Sequence, residues 1–117
     1  MSQNLRRFFR VRASVRFTFA WSQGFELFRT VDLSACGAYV ERHVPGSTLP
    51  PVDELGECAF NLESKELRLS GRVVRVSPTG FAVQFENVSK ANEDRICGWA
   101  FRQEAARNPV GGRRRPS

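Results

Sequence analysis

From Val11 onward, apolar and polar residues alternate with a period of two. Val11, Ala13, Val15, Phe17 and Phe19 are set against Arg12, Ser14, Arg16 and Thr18. Successive strand side chains point to opposite faces, so this pattern predicts a strand with one face in a core and one in water. Ser22-Gln23-Gly24 reads as a turn, and residues 25 to 31, rich in Phe, Leu, Thr and Val, read as a second strand. Residues 32 to 37 are small and polar and interrupt it. Ala38-Tyr39-Val40 is then a short third strand. Pro45-Gly46 and Pro50-Pro51 bracket a loop that cannot be a central strand. Residues 56 to 62 and 66 to 76 give the fourth and fifth strands. Ser77-Pro78-Thr79-Gly80 is a tight turn. Beyond it, Phe81, Val83 and Phe85 alternate with Ala82, Gln84 and Glu86, a sixth strand that folds back on the fifth as a hairpin.

After Asn87 the period lengthens. Ser89 stands at an N-cap position, with Glu93 and Asp94 close behind it. Ile96, Ala100 and Phe101, with Trp99 beside them, fit one face of a single helix that runs to about Arg107. Asn108-Pro109 ends it. Residues 1–10 have no period and read as a flexible basic arm, residues 11–107 as the folded body, and residues 108–117 as a disordered basic tail. Six short strands and one helix predict an all-β fold, an antiparallel barrel with a C-terminal α-helix over one mouth. Closing the sheet removes the edges that a flat one would expose.

At 117 residues the chain has room for one domain of ordinary size. No stretch is long and apolar enough to span a bilayer, and arginines occupy the place where a signal peptide needs its apolar core. A cytoplasmic protein without membrane insertion is expected. The three cysteines, Cys36, Cys58 and Cys97, form no CxxC pair and suit reduced, buried thiols. An enzyme is not expected. The one histidine, His43, has no obvious acid–base partner, and there is no nucleophile elbow, phosphate loop or metal-ligand spacing. Charge adds a direction. Net charge is +6, and of the 18 basic residues only Lys65 and Lys90 are lysine, leaving 16 arginines. The guanidinium fork suits phosphates and base edges, so a phosphate-bearing or acidic partner is implied.

Two segments could carry that recognition. Arg6 and Arg10 form an RxxxR spacing in the arm. The pairs Arg12/Arg16 and Arg68/Arg72 repeat the spacing inside strands, where each pair shares a face and reads as solvated surface. The second segment is the DxSxxG of Asp32, Ser34 and Gly37. Along an extended chain Asp32 and Ser34 point the same way, and Gly37 permits a positive φ or a close approach. A plain reading of the same residues is an Asx or Ser turn between two strands. Along the fifth strand, Leu67, Leu69 and Val73 set an inward face that also carries Arg75 near the strand's end. There Arg75 would project at the barrel rim; a plain reading of it is an ordinary surface arginine.

RxxxR before the first strand followed by DxSxxG between the second and third resembles the PilZ domain, a bacterial receptor module for the second messenger cyclic di-GMP. Gly71-Arg72-Val73-Val74-Arg75-Val76 and Gly80-Phe81-Ala82-Val83-Gln84-Phe85 are similar to that family's closing hairpin. The resemblance implies a six-stranded antiparallel Greek-key or split β-barrel with a C-terminal helix. It implies cyclic di-GMP as ligand, no metal or other cofactor, and a site of Arg6, Arg10, Asp32, Ser34 and Gly37, with Arg7 and Arg75 as additions. The chemistry is coherent. Guanine offers two acceptors, O6 and N7, to a guanidinium fork and N–H donors on its opposite edge to a carboxylate. The chain would then be a stand-alone receptor whose arm orders on the ligand and signals to an effector protein in trans, in motility, biofilm or exopolysaccharide control. The alternative is a small β-barrel for single-stranded nucleic acid, which the charge and basic tail allow. Nucleic acid fits less well, because Phe17, Phe19, Phe81 and Phe85 fall on inward positions and Asp32 would repel phosphates.

Overall fold

The computed structural model describes residues 9–107. Arg6, Arg7 and the basic tail from Asn108 lie outside the described residues. The elements run β1 (Val11–Arg12), β2 (Arg16–Trp21), β3 (Gly24–Leu33), β4 (Gly37–Arg42), β5 (Leu55–Leu62), β6 (Lys65–Val76), β7 (Gly80–Glu86) and the helix α1 (Lys90–Arg107). All strand pairings are antiparallel. β2 pairs with β3 and β5, β5 with β6, β6 with β7, β7 with β4, and β4 with β3. The last pairing closes a ring of six strands, which is the expected barrel.

The expected first strand is split in two. β1 pairs with the far end of β3, Val11 opposite Leu33 and Arg12 opposite Asp32. The break at residues 13 to 15 is held by Thr30, which is 3% exposed. Its hydroxyl donates to the Ala13 carbonyl and accepts the Val15 N–H at 2.8 Å. A buried hydroxyl thus satisfies backbone groups that a continuous ladder would have paired. β3 also runs two residues beyond its expected end, through Asp32 and Leu33.

The alternation of residues builds the core as expected. Phe17, Phe19, Phe28, Val40, Val73 and Phe81 are each 0% exposed. Phe81 meets Phe19 at 5.3 Å between ring centroids and Phe28 edge-on at 4.9 Å. Phe60 stacks on Phe17 and Phe85 toward one mouth. Trp21 and Trp99 are buried, as expected of core and helix-packing residues. Burial, with a smaller push from the charge of Glu57, drives the Cys58 thiol far up, so it stays protonated. Cys97 is buried too, whereas Cys36 is only half-buried.

α1 begins where the sequence places it. Ser89 Oγ accepts the Asn92 N–H at 3.1 Å, the N-cap bond. Ile96, Cys97, Trp99 and Ala100 bury the inner face. Phe101, which the helical period puts on that face, is instead 48% exposed, and its ring stacks on Phe9 at 4.8 Å. Two contacts seat the helix across the mouth. Arg107 donates to the Arg12 carbonyl. Arg102 grips both carboxylate oxygens of Glu63, at 2.7 and 2.6 Å, in the β5–β6 turn. Glu63 and Ser64 both have positive φ, 52° and 70°, the two-residue turn whose twist suits a hairpin. The bond from Arg102 holds the Glu63 carboxyl below its usual range. No helix among the described residues is long and apolar enough to cross a membrane.

Phe81 joins three strands' worth of aromatic packing at the barrel centre. Phe81→Ala should lower unfolding stability by about 3–5 kcal/mol, read from the urea midpoint with an unchanged slope.

Candidate functional site

Two β-bulges decide which charged side chains reach the outer surface. β3 carries Phe28 and Thr30 inward, and strict alternation would send Asp32 inward as well. The β3–β4 register shifts between Thr30 and Asp32, leaving Val31 as the extra residue. Asp32 therefore turns outward, and Leu33, 0% exposed, turns in. β6 repeats the device. Leu67, Leu69, Gly71 and Val73 are buried, then the register shifts between Val73 and Arg75 around Val74. Arg75 is consequently exposed on the outer face. The expectation that Arg75 shares the inward face is corrected, because the bulge adds a residue that alternation does not count.

The bulges put both charges in one row across the sheet. Arg12 faces Asp32, Asp32 faces Tyr39, Tyr39 faces Ala82, and Ala82 faces Arg75. The inward row beside it is Val11, Leu33, Ala38, Val83 and Val73, all buried. Arg10 lies over the acidic end of the outer row. Its Nη1 donates to Asp32 Oδ1 at 2.5 Å, and the same oxygen accepts the Tyr39 N–H at 3.3 Å. The Arg10 side chain is 51% exposed and that of Asp32 26%. At the other end, the Arg75 guanidinium carbon lies 5.4 Å from the centre of the Tyr39 ring. The Tyr39 hydroxyl is 2.5 Å from Ser77 Oγ, which also bonds within the β6–β7 turn.

Arg10 also lines a cleft of about 350 Å³ with Cys36, Val74, Ala82 and Gln84. That volume lies at the lower end of the range for small-molecule sites, roughly 300–1,000 Å³. Arg10 thus joins the cleft to the carboxylate. Among the described residues no group of His, Cys, Asp and Glu could hold a metal ion.

Ser34 and Gly37 build the loop rather than the exposed row. Asp32 and Ser34 do not point the same way, because the chain leaves the strand at Leu33. Ser34 is 1% exposed, and its hydroxyl accepts the Cys36 N–H at 3.1 Å and the Gly37 N–H at 3.3 Å. Its own backbone N–H donates to the Gly37 carbonyl at 2.9 Å. This is the Ser turn of the plain reading. Gly37 has no positive φ. A Cβ there would lie 2.2 Å from the Val83 carbonyl oxygen, so glycine is demanded by the close approach of β7. Among the other arginine pairs, Arg68 bridges to Glu57 and Glu66, and Arg72 to Glu86, the solvated faces expected of them.

Sequence reasoning passed over Tyr39, Val74, Ala82 and Gln84. The signal for three of them was available. Alternation in β4 and β7 puts Tyr39, Ala82 and Gln84 opposite the buried Val40, Val83 and Phe85. An aromatic on a solvent face beside an acidic corner is the informative pattern.

These features place the protein in a known class. The profile of the PilZ domain matches residues 4–102, and the chain belongs to the PilZ domain family. No curated protein matches the sequence. The fold is similar to the PilZ domain of YcgR from Escherichia coli, solved with c-di-GMP: TM-score 0.73, 15% identity, 91% of this chain and 96% of that one. It is also similar to the PilZ domain of CeSA from a cellulose synthesizing bacterium: TM-score 0.63, 22% identity, 81% of this chain and 97% of that one. For MotI/DgrA, the Bacillus subtilis inhibitor of motility, the TM-score is 0.70 at 12% identity, over 83% of this chain and 49% of that one.

Ser34→Ala leaves two loop N–H groups without their acceptor and should cost about 1–3 kcal/mol in a denaturant melt. Gly37→Ala forces β4 from β7 and should cost about 1–3 kcal/mol in the same measurement.

Proposed function

We propose that this chain is a receptor for cyclic di-GMP, with Arg6, Arg10 and Asp32 as the residues that recognise it. The observation that carries the reading is the Arg10–Asp32 pair, whose Arg10 lines a cleft, in a chain that the PilZ domain profile matches over residues 4–102. The YcgR PilZ domain, solved with c-di-GMP, has the same fold. The ligand supplies groups of both signs that the pair can take up. A guanine N–H edge approaches Asp32, while the Arg10 fork turns to the O6/N7 edge or to a phosphate. Exposed ion pairs contribute only about 0–1 kcal/mol, so parting Arg10 from Asp32 costs little. Arg6 closes from the arm, and Arg7 adds charge against the phosphates. Ser34 and Gly37 act by holding the Asp32 loop in shape.

Micromolar binding corresponds to about −8 kcal/mol. Charge-assisted hydrogen bonds contribute about 1.5–3 kcal/mol each, so four or five of them cover that and part of the ordering cost of the arm. The arm, ordered over the barrel, presents a new surface to an effector protein in trans. A motility or exopolysaccharide output suits the neighbours in fold, the motility inhibitor MotI/DgrA and CeSA. The chain is then a signal receptor and not an enzyme.

Calorimetric titration with cyclic di-GMP tests this, with GMP and a single-stranded oligonucleotide as controls. Arg6→Ala, Arg10→Ala and Asp32→Ala should each weaken binding by about tenfold or more, as loss of one charge-assisted contact requires. Arg12→Ala should stay within about twofold, the scale of a solvated surface charge. Absence of saturable binding to the wild type, or a loss in Arg12→Ala equal to that in Arg10→Ala, overturns the reading. Tight, steeply salt-dependent binding of the oligonucleotide would favour nucleic acid instead.

A further inference from the structure

The proposed site accounts for one end of the outer row, and a cyclic dinucleotide has two purines and two phosphates to place. The other end of the row holds Arg75, on the face to which the Val74 bulge turns it. Asp32 and Arg75 are three strand steps apart, about 14 Å at the usual spacing between strands. Only Tyr39 and Ala82 lie between them in register. The small Ala82 side chain leaves the middle of the row low, and the cleft lined by Arg10 runs past Ala82 and Val74.

Arg75 differs from the other two arginines of β6. Arg68 and Arg72 are neutralised by carboxylates. Arg75 rests on an aromatic ring, with its guanidinium carbon 5.4 Å from the centre of Tyr39. A ring quadrupole attracts the cation without consuming its charge or its donors. Tyr39 is itself held at its backbone and at its hydroxyl. Its backbone N–H is bound by Asp32, and its hydroxyl is 2.5 Å from Ser77 Oγ in the turn beyond Arg75. Tyr39 thus has one contact to each end of the row.

We infer that Tyr39 is a positioning residue that holds Arg75 as the contact for the second half of the bound dinucleotide. The inference rests on the cyclic di-GMP reading. The Asp32–Arg10 end takes one guanine, and Arg75, pinned on Tyr39, takes the far phosphate or base of the same molecule. Arg75 touches the ligand; Tyr39 acts through it. This arrangement favours a dinucleotide over a mononucleotide, because only the longer ligand reaches both ends.

Cyclic di-GMP titrations of R75Q, Y39L, Y39F and the Y39L/R75Q double variant provide the test. R75Q should weaken binding by about tenfold, the loss of one charge-assisted contact. Y39L should lose nearly as much, and the double variant no more than the worse single one, since the two residues act as a unit. Y39F keeps the ring under Arg75 and should bind within about twofold of wild type, which separates the ring from the hydroxyl. GMP competition should be unchanged by R75Q. Wild-type affinity in R75Q or Y39L overturns the inference, and so do additive losses in the double variant or a loss in Y39F as large as in Y39L. If those variants bind normally while Arg10→Ala does not, this inference fails and the receptor reading stands. If the wild type itself takes up no cyclic di-GMP, both fall.

Discussion

The site depends on two single-residue bulges. A closed antiparallel barrel fixes the facing of every side chain by parity, and the parity of β3 and β6 assigns Asp32 and Arg75 to the interior. A carboxylate or a guanidinium held among Phe28, Phe81 and Val73 would be unpaired and costly. Val31 and Val74 each break the count once. The result is an acid and a base on the same outer row, with the apolar row of Leu33 and Val73 intact beside it. Core and site are therefore produced together: the residue that leaves the core is replaced there by its neighbour.

The loop that follows the first bulge shows how recognition residues and scaffold residues are divided. Asp32 is the only member of its DxSxxG segment that faces outward in the row. Ser34 spends its hydroxyl on the loop's own N–H groups, and Gly37 exists because β7 passes too close for a side chain. Phe85 then donates its N–H to the Cys36 carbonyl, tying the loop to β7. The DxSxxG spacing thus combines one outward carboxylate with two purely mechanical requirements.

Most of the fold was legible in the sequence because period-two alternation is a direct consequence of burial. Phe17, Phe19, Phe81, Val83 and Phe85 announced the core, and Ser89 announced the helix. The bulges were not legible. An extra valine in a strand looks like any other strand valine, and its effect exists only relative to the partner strand. That is why alternation alone assigns Arg75 to the wrong face and ends β3 at Val31. The break between β1 and β2 was hidden for a related reason, since Ala13 and Val15 keep the alternation while Thr30 replaces the missing ladder bonds. At the site, Arg10 and Asp32 could be paired from the sequence through the family resemblance. Alternation marks Tyr39 only as an outward aromatic; its place between Asp32 and Arg75 is hidden, because those two residues are 43 positions apart in the chain and meet it only through strand register.

Ring closure between β3 and β4 has a mechanical consequence. Every strand of the hoop is braced on both flanks, so no single strand can slip without dragging the other five. Such a body is stiff, and an event at its wall has little means of travelling through it. Compliance is left to the pieces fastened to the hoop from outside, and two of these already meet where the Phe9 ring lies on Phe101 of the terminal helix. Phe9 therefore touches the helix directly, with no strand of the hoop between them.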